Sequence, residues 1–257
     1  MNFLCPFHLD KNSSFSLKNN KYYCYGCKLK GKLKFENIKM NKFEFYFNKE
    51  ILLKAKIFLI KKKNFWLNYL YIRNIDFKTL FHYNLGCIDI HLKTKNNIYF
   101  VKNKLIFPII DEFGLLCGIG LKTNNFKSKY INIYKKNFDN KNVIYGINEC
   151  FDRYYTIVVE GYFDLLTLYK NNIYNATSIL GCNINYKKIL KLLLKYNNIY
   201  FCFDGDLAGY ISVLKIKKIK QKYNIKNLNC INLPLGDDPD SYINKYGVEN
   251  FLKFIDI

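Results

Sequence analysis

The sequence predicts a chain of the α/β class (α+β overall), with a small metal-stapled segment, then a mixed lobe, then a mostly parallel sheet. Three observations predict it. Two pairs of zinc-type ligands stand within the first 27 residues, at Cys5 and His8 and at Cys24 and Cys27. Two apolar runs flank a turn signal at Asp111–Gly114. From Tyr155 onward, strand-like and helix-like patterns alternate, the mark of parallel strands joined by helices. With 257 residues, 50% apolar and 24% charged, the chain can bury a core. At roughly 100–200 residues per domain, one or two large domains and a small appendage fit.

The N-terminal pairs read Cys5-Pro-Phe-His8 and Cys24-Tyr-Gly-Cys27, fifteen residues apart. A two-residue spacer lets a tight turn aim both side chains at one ion, and two such knuckles complete a tetrahedral zinc shell. Gly26 supplies the turn's conformational freedom. Four protein ligands leave no open position, so the zinc is structural. Between the knuckles, Ser14–Leu17 and Tyr22–Tyr23 alternate like a short hairpin. A segment this small depends on its metal to fold.

From Lys28 to Lys63 lysines abound and acids are few, which reads as a linker entering a helical region. Trp66, Tyr69, Leu70 and Arg73 have helical spacing, with Trp66 and Leu70 as core. Asn103–Lys122 reads as a β-hairpin around Asp111-Glu-Phe-Gly114, leading to Gly118 and Gly120. Those glycines mark either a close backbone approach or a bend in a curved sheet. A polar loop with Lys129, Tyr130 and Asn132 follows.

Three further strands are predicted at Tyr155–Val159, Asn198–Phe203 and Leu228–Leu233, with helices over Tyr162–Asn171 and Ala208–Lys222. Ligands of parallel sheets bind beyond the carboxyl ends of the strands. Each strand here delivers acids to that edge: Glu160, then Asp204 and Asp206, then Asp238 and Asp240. Asp164 stands one helical turn after Glu160. So many carboxylates repel one another unless cations sit between them, and hard oxygen donors favour Mg²⁺ or Mn²⁺. Two such ions can serve phosphoryl transfer. Asp is also a common turn former and cap, a reading that weakens when three successive strands end alike.

Composition narrows the classes. Forty-one Lys+Arg against 20 Asp+Glu give +21, which suits a polyanionic partner. Yet only Arg73 and Arg153 are arginines, and an AT-rich genome would impose the same lysine excess whatever the function. No apolar run approaches the roughly 18 residues of a membrane span, since Lys54 and Lys56 interrupt Ile51–Ile60. The N-terminus carries no secretory pattern. A cytoplasmic chain with no membrane partner is expected. Single cysteines at 87, 117, 150, 182, 202 and 230 read as small buried apolar residues in a reducing compartment.

Taken together, these motifs resemble the bacterial DnaG-type DNA primases, and they are collinear over nearly the whole chain. Cys5-Pro-Phe-His8 with Cys24-Tyr-Gly-Cys27 resembles the family's CHC2-type zinc ribbon. Tyr69-Leu-Tyr-Ile-Arg73, Leu105-Ile-Phe-Pro-Ile109, Gly118-Ile-Gly120, Lys129-Tyr-Ile-Asn132 and Tyr145-Gly146 resemble blocks of its polymerase core. Val159-Glu-Gly-Tyr-Phe-Asp164, Asp204-Gly-Asp-Leu-Ala-Gly209 and Asp238-Pro-Asp240 resemble its Toprim metal motifs.

The resemblance implies three parts: a zinc ribbon and linker over 1–40, the N-terminal lobe of the polymerase core over 41–150, and a Toprim catalytic domain with a short C-terminal helix over 151–257. It implies a DNA-directed RNA polymerase that makes short RNA primers on a single-stranded DNA template from ribonucleoside triphosphates. Glu160, Asp204 and Asp206 would be catalytic. Glu160, Asp164, Asp204, Asp206, Asp238 and Asp240 would hold two or more Mg²⁺ or Mn²⁺ ions. Whether Glu160 is a ligand or an acid–base group stays open. Arg73, Lys104, Lys122, Lys129, Asn132 and Lys141 would face template or nucleotide. Lys122 stands where the family usually has Arg, Ile110 replaces an expected Arg, and Lys141 is displaced from the lysine usual before Tyr-Gly. The segment ahead of the ribbon, the longer linker and the helicase-docking C-terminal domain of the family are expected to be absent, so a replicative helicase would be met by another route. A bacterial, nucleoid-associated location is implied. The alternatives are a Toprim-type nuclease and a non-catalytic zinc-containing protein that binds single-stranded DNA.

Overall fold

The computed structural model describes residues 2–3, 14–18, 21–28, 30–32, 49–61, 65–93, 98–125, 128–135, 138–150 and 153–255. Cys5 and His8 lie outside them. The chain divides into two compact units, one of residues 1–73, 80–108 and 119–136, the other of 74–79, 109–118 and 137–257.

The first unit begins with a four-stranded sheet, β1 (Asn2–Phe3), β2 (Phe15–Lys18), β3 (Lys21–Cys24) and β4 (Lys30–Lys32), in sequential order. The expected hairpin is there: β2 and β3 are antiparallel, with Phe15 opposite Cys24. Within the stretch read as a linker, β4 and the helix α1 (Lys49–Lys61) both form. Helices α2 (Phe65–Ile72) and α3 (Phe77–His82) follow. As the helical spacing required, Trp66 and Leu70 are buried, and the Trp66 Nε1–H donates to the Asn103 carbonyl at 2.5 Å.

A second antiparallel sheet runs β5 (Gly86–Lys93), β6 (Ile98–Ile110), β7 (Leu116–Asn125), β8 (Ser128–Tyr134). Helix α1 packs on β5 so closely that a Cβ on Gly86 would lie 2.7 Å from the Ala55 Cβ, which is why glycine stands there. Between β6 and β7 the predicted turn closes through Asp111. Its N–H donates to the Leu115 carbonyl at 2.9 Å, and its carboxylate accepts from the N–H groups of Phe113 and Leu115. Gly114 takes φ +80° in that turn.

The second unit contains a four-stranded parallel sheet in the order β10-β9-β11-β12. Its elements are β9 (Tyr155–Val159), α4 (Tyr162–Lys170), β10 (Ala176–Ser178), α5 (Tyr186–Lys195), β11 (Asn198–Cys202), α6 (Leu207–Lys222), β12 (Leu228–Ile231), α7 (Pro239–Tyr246) and α8 (Val248–Leu252). The strand run Ile157–Val159 and its neighbour Ile199–Cys202 are fully or nearly fully buried, as central strands covered on both faces require. Ile189, Leu192, Val213 and Ile216 of α5 and α6 pack with Val158, Ile199 and Phe201. The strand order reverses between β10 and β11, whose connection passes β9. The switch point therefore falls at the carboxyl ends of β9 and β11, the position where such sheets hold ligands. Among the described residues no helix is long and apolar enough to cross a membrane.

Candidate metal centre and nucleic-acid interface

The residues that follow β9 and β11 flank the switch point. Glu160 follows β9 directly, and its Oε1 accepts the Asp204 N–H at 3.3 Å across the strand pair. Burial pushes the Glu160 carboxyl up to about 7, with the charges of Asp204 and Asp206 adding to it. Asp164 sits in the first turn of α4, 8% exposed, and its Oδ2 accepts the Gly161 N–H at 2.8 Å. Burial raises its carboxyl well above the usual range, and Asp204, Asp238 and Asp240 raise it further. Asp204 thus acts electrostatically on both groups of acids, one containing Glu160 and Asp206, the other Asp164, Asp238 and Asp240.

The remaining acids are also built into the scaffold. Asp206 caps α6, accepting the Gly209 N–H at 2.8 Å, and Asp238 caps α7, accepting the Ser241 N–H at 2.6 Å. Asp240 accepts from Thr167 Oγ1 of α4 at 2.5 Å and from Asn244 at 3.0 Å. Backbone stitches tie the two turns together: the Gly205 N–H donates to the Asp237 carbonyl at 2.7 Å, and the Gly236 N–H to the Gly205 carbonyl at 2.8 Å. Glycine is demanded twice. A Cβ on Gly205 would lie 2.1 Å from the Pro234 oxygen, and one on Gly209 would lie 2.1 Å from the Asp204 oxygen.

The donor set suits a hard divalent cation: carboxylate oxygens only, with Glu160 and Asp164 raised by burial and by the charges of their acidic neighbours. Among the described residues no three His, Cys, Asp or Glu side chains stand close enough together to hold a metal ion. The carboxylate oxygens accept instead from backbone N–H groups and, at Asp240, from side chains.

In the N-terminal sheet, Cys24 is buried, and its sulfur accepts the Cys27 N–H at 3.3 Å. Ser14 Oγ stands 3.2 Å from the same sulfur.

Of the cationic candidates, the first unit brings Arg73, Lys122 and Lys129 together. The Lys122 ammonium lies 4.8 Å from the centre of the Tyr130 ring. Burial lowers its pKa, and the charges of Arg73 and Lys129 lower it further. The Arg73 guanidinium lies 5.4 Å from the centre of the Tyr69 ring. Lys104 lies on β6, opposite Ile88 of β5, and Asn132 on β8. Lys141 belongs to the second unit, in a short 3-10 turn over Asn140–Asn142.

Sequence reasoning missed several residues. Asp237 is 4% exposed and paired with Lys245, a structural ion pair beside the site. Cys182, read as a buried core residue, is partly exposed and stands beside the Glu160 carboxylate; burial and the Glu160 charge raise its thiol pKa. It follows β10, a strand of three residues with no apolar run, so the sequence carried no signal that places it beside Glu160.

A parallel sheet with acids gathered on the turns beyond its strands defines a Toprim-like domain, and residues 157–243 match that family's model, described as Toprim-like. Residues 1–64 match the CHC2 zinc finger of the DnaG zinc ribbon. The DNA primase of Buchnera aphidicola from Acyrthosiphon pisum is 31% identical, aligned over 98% of this chain and 56% of its own. The DNA primase of Rickettsia prowazekii is 28% identical over 98% and 54%. The chain spans about half the length of the curated relatives it matches. The zinc-binding and RNA polymerase domains of Aquifex aeolicus primase share its fold at a TM-score of 0.71 and 22% identity, over 99% of this chain and 77% of that one. A DnaG primase catalytic domain bound to single-stranded DNA does so at 0.72 and 23%, over 80% and 75%. Over nearly its whole length the chain is similar to the DnaG-type primases.

Proposed function

We propose that the chain is a DNA primase that makes short RNA primers on single-stranded DNA. The observation that carries this is the carboxylate edge of the parallel sheet, where Asp204 acts on Glu160 and on Asp164 alike. The expected division, a ribbon over 1–40, a lobe over 41–150 and a Toprim domain over 151–257, belongs to the same reading, as does a cytoplasmic, nucleoid-associated location.

Glu160, Asp164, Asp204, Asp206, Asp238 and Asp240 would hold Mg²⁺ or Mn²⁺. When bound, the ions supply charge neutralisation and align the attacking and leaving oxygens of nucleotidyl transfer. The new bond joins the primer's O3′ to the α-phosphorus of the incoming ribonucleotide, and the bond from that phosphorus to pyrophosphate breaks. The chain's own share is positioning and electrostatics. Asp206 and Asp238 are fixed by their capping bonds, so their free oxygens point from rigid helix ends. Glu160, held near 7, carries a proton about half the time at neutral pH when no cation is present. Arg73, Lys122 and Lys129 form a cationic group for template or triphosphate, with Lys104, Asn132 and Lys141 as further contacts. Tyr130 beneath Lys122 limits the directions that ammonium can take. Cys5, His8, Cys24 and Cys27 would hold one structural zinc.

The test is primer synthesis on a single-stranded template with labelled ribonucleotides and Mg²⁺ or Mn²⁺. Short RNA from the wild type and none from Asp204→Asn is expected. Template binding without product from either would overturn the polymerase reading, and metal-dependent degradation of the template would replace it with a nuclease. Metal analysis that finds no stoichiometric zinc would remove the ribbon.

A further inference from the structure

The turn that follows β10 is wound around the residue that follows β9. The Ser178 Oγ–H donates to the Glu160 carbonyl at 2.9 Å, and the Gly181 N–H donates to the same oxygen at 2.9 Å. Cys182, the last residue of the turn, stands beside the Glu160 carboxylate, close enough for each to bear on the other's pKa. One five-residue segment therefore grips the main chain of Glu160 and flanks its side chain.

That segment is itself pinned from two helices. The Ser212 Oγ–H of α6 donates to the Cys182 carbonyl at 2.9 Å. The Lys188 ammonium of α5 donates to the Ile179 carbonyl at 2.8 Å and to the Asn183 carbonyl at 3.5 Å. Lys188 is only 6% exposed. Burying an ammonium is costly, and this one spends its hydrogen bonds on the turn.

The backbone is also strained there. Leu180 stands at φ +55°, a left-handed conformation that a branched residue without a polar side chain rarely takes, and Gly181 follows at φ +119°. Such strain persists only where the surroundings over-determine it, and it clusters at functional sites.

We infer that Ser178–Cys182 is a positioning strap for Glu160, with Cys182 orienting the carboxylate and Lys188 holding the strap's shape. This rests on the reading of Glu160 as a carboxylate of the reacting centre. Neither Cys182 nor Lys188 touches substrate in this role. Both act through Glu160.

The test compares wild type, Cys182→Ala, Cys182→Ser and Lys188→Met in the full chain. Two readouts are used: kcat and KM for ribonucleotide in primer synthesis, and Mn²⁺ affinity from electron paramagnetic resonance of the free ion. Circular dichroism checks the fold of each variant. Loss of a donor beside a charged group predicts a kcat lower by roughly tenfold in Cys182→Ala, with KM held and Mn²⁺ bound more weakly. Cys182→Ser, which keeps a donor, returns to within about twofold of wild type. Lys188→Met, folded, loses kcat in the same way as Cys182→Ala.

Wild-type kcat and Mn²⁺ affinity in Cys182→Ala would overturn the strap, and so would a Cys182→Ser variant no better than Cys182→Ala. If Lys188→Met does not fold, the cysteine pair decides. If the wild type makes no primers, the proposed function fails and the Mn²⁺ titration judges the strap alone. Weaker binding in Cys182→Ala then supports it, and equal binding overturns it.

Discussion

The two sides of the carboxylate edge use the same residue types to opposite ends. On the β9 side, Glu160 and Asp164 are raised by burial and by their acidic neighbours. On the β12 side, every acid has an answering group: Asp237 pairs with Lys245, Asp238 caps α7, and Asp240 accepts from Thr167 and Asn244. Repulsion left standing inside a folded protein calls for a cation. Repulsion answered by local donors is scaffolding that a cation can share. Asp204 stands between the two sides, acting on both raised groups.

The sharpest way to break this comparison is to neutralise one acid from each side. Asp204→Asn should lower kcat by about 10²–10³-fold, the scale of losing a central electrostatic group. Asp238→Asn keeps its helix cap, because Asn caps as well as Asp, and should stay within about tenfold of wild type. Equal losses in a primer-synthesis assay would erase the distinction.

A second break is mechanical. Gly205→Ala forces a Cβ to within 2.1 Å of the Pro234 oxygen in a turn that joins both sides. Denaturant unfolding should show a loss of about 3 kcal/mol or more. Wild-type stability would mean that the turns are not held as described.

The pH dependence sharpens the comparison. The Glu160 carboxyl is raised from 4.5 to about 7, so the folded chain binds a proton that the unfolded chain releases. Its contribution favours folding below the unfolded carboxyl pKa and declines as pH rises through about 7. Asp164 acts in the same sense. Without added magnesium, Tm should fall by a few degrees between pH 5.5 and 8, and Mg²⁺ at the higher pH should restore it. A Tm that rises with pH and ignores Mg²⁺ would contradict the unanswered repulsion.

The smallest expected effect is on the answered side. Thr167→Val keeps the shape of a buried residue but removes the hydroxyl that donates to Asp240. Urea unfolding should show a loss of about 1 kcal/mol, with primer synthesis little changed.

Much of this edge was legible because chemistry and periodicity coincide there. The apolar runs Tyr155–Val159 and Asn198–Phe203, each followed at once by an acid, name both the strand and the side to which it delivers its acids. The hairpin around Asp111–Gly114 was legible through its turn residues. β10 was not, because it is three residues long, Ala176-Thr-Ser178, with no apolar run, and exists through its pairing with β9. With β10 unseen, the strap that follows it could not be placed beside Glu160. Helix α1 was obscured by lysines spaced through its apolar residues, one of which, Lys56, is buried in the fold. The roles of Lys188 and Ser212 depend on carbonyls that tertiary packing brings to them, which no spacing along the chain encodes.

The stitches between Gly205 and the Gly236–Asp237 turn carry one more consequence. They are made by main-chain atoms only, N–H to carbonyl in both directions. The separation between the acids after β11 and those after β12 is thus a ruler cut into the backbone. Surface side chains can be exchanged for lysine or asparagine without altering its length. What it does not forgive is a single methyl group at Gly205.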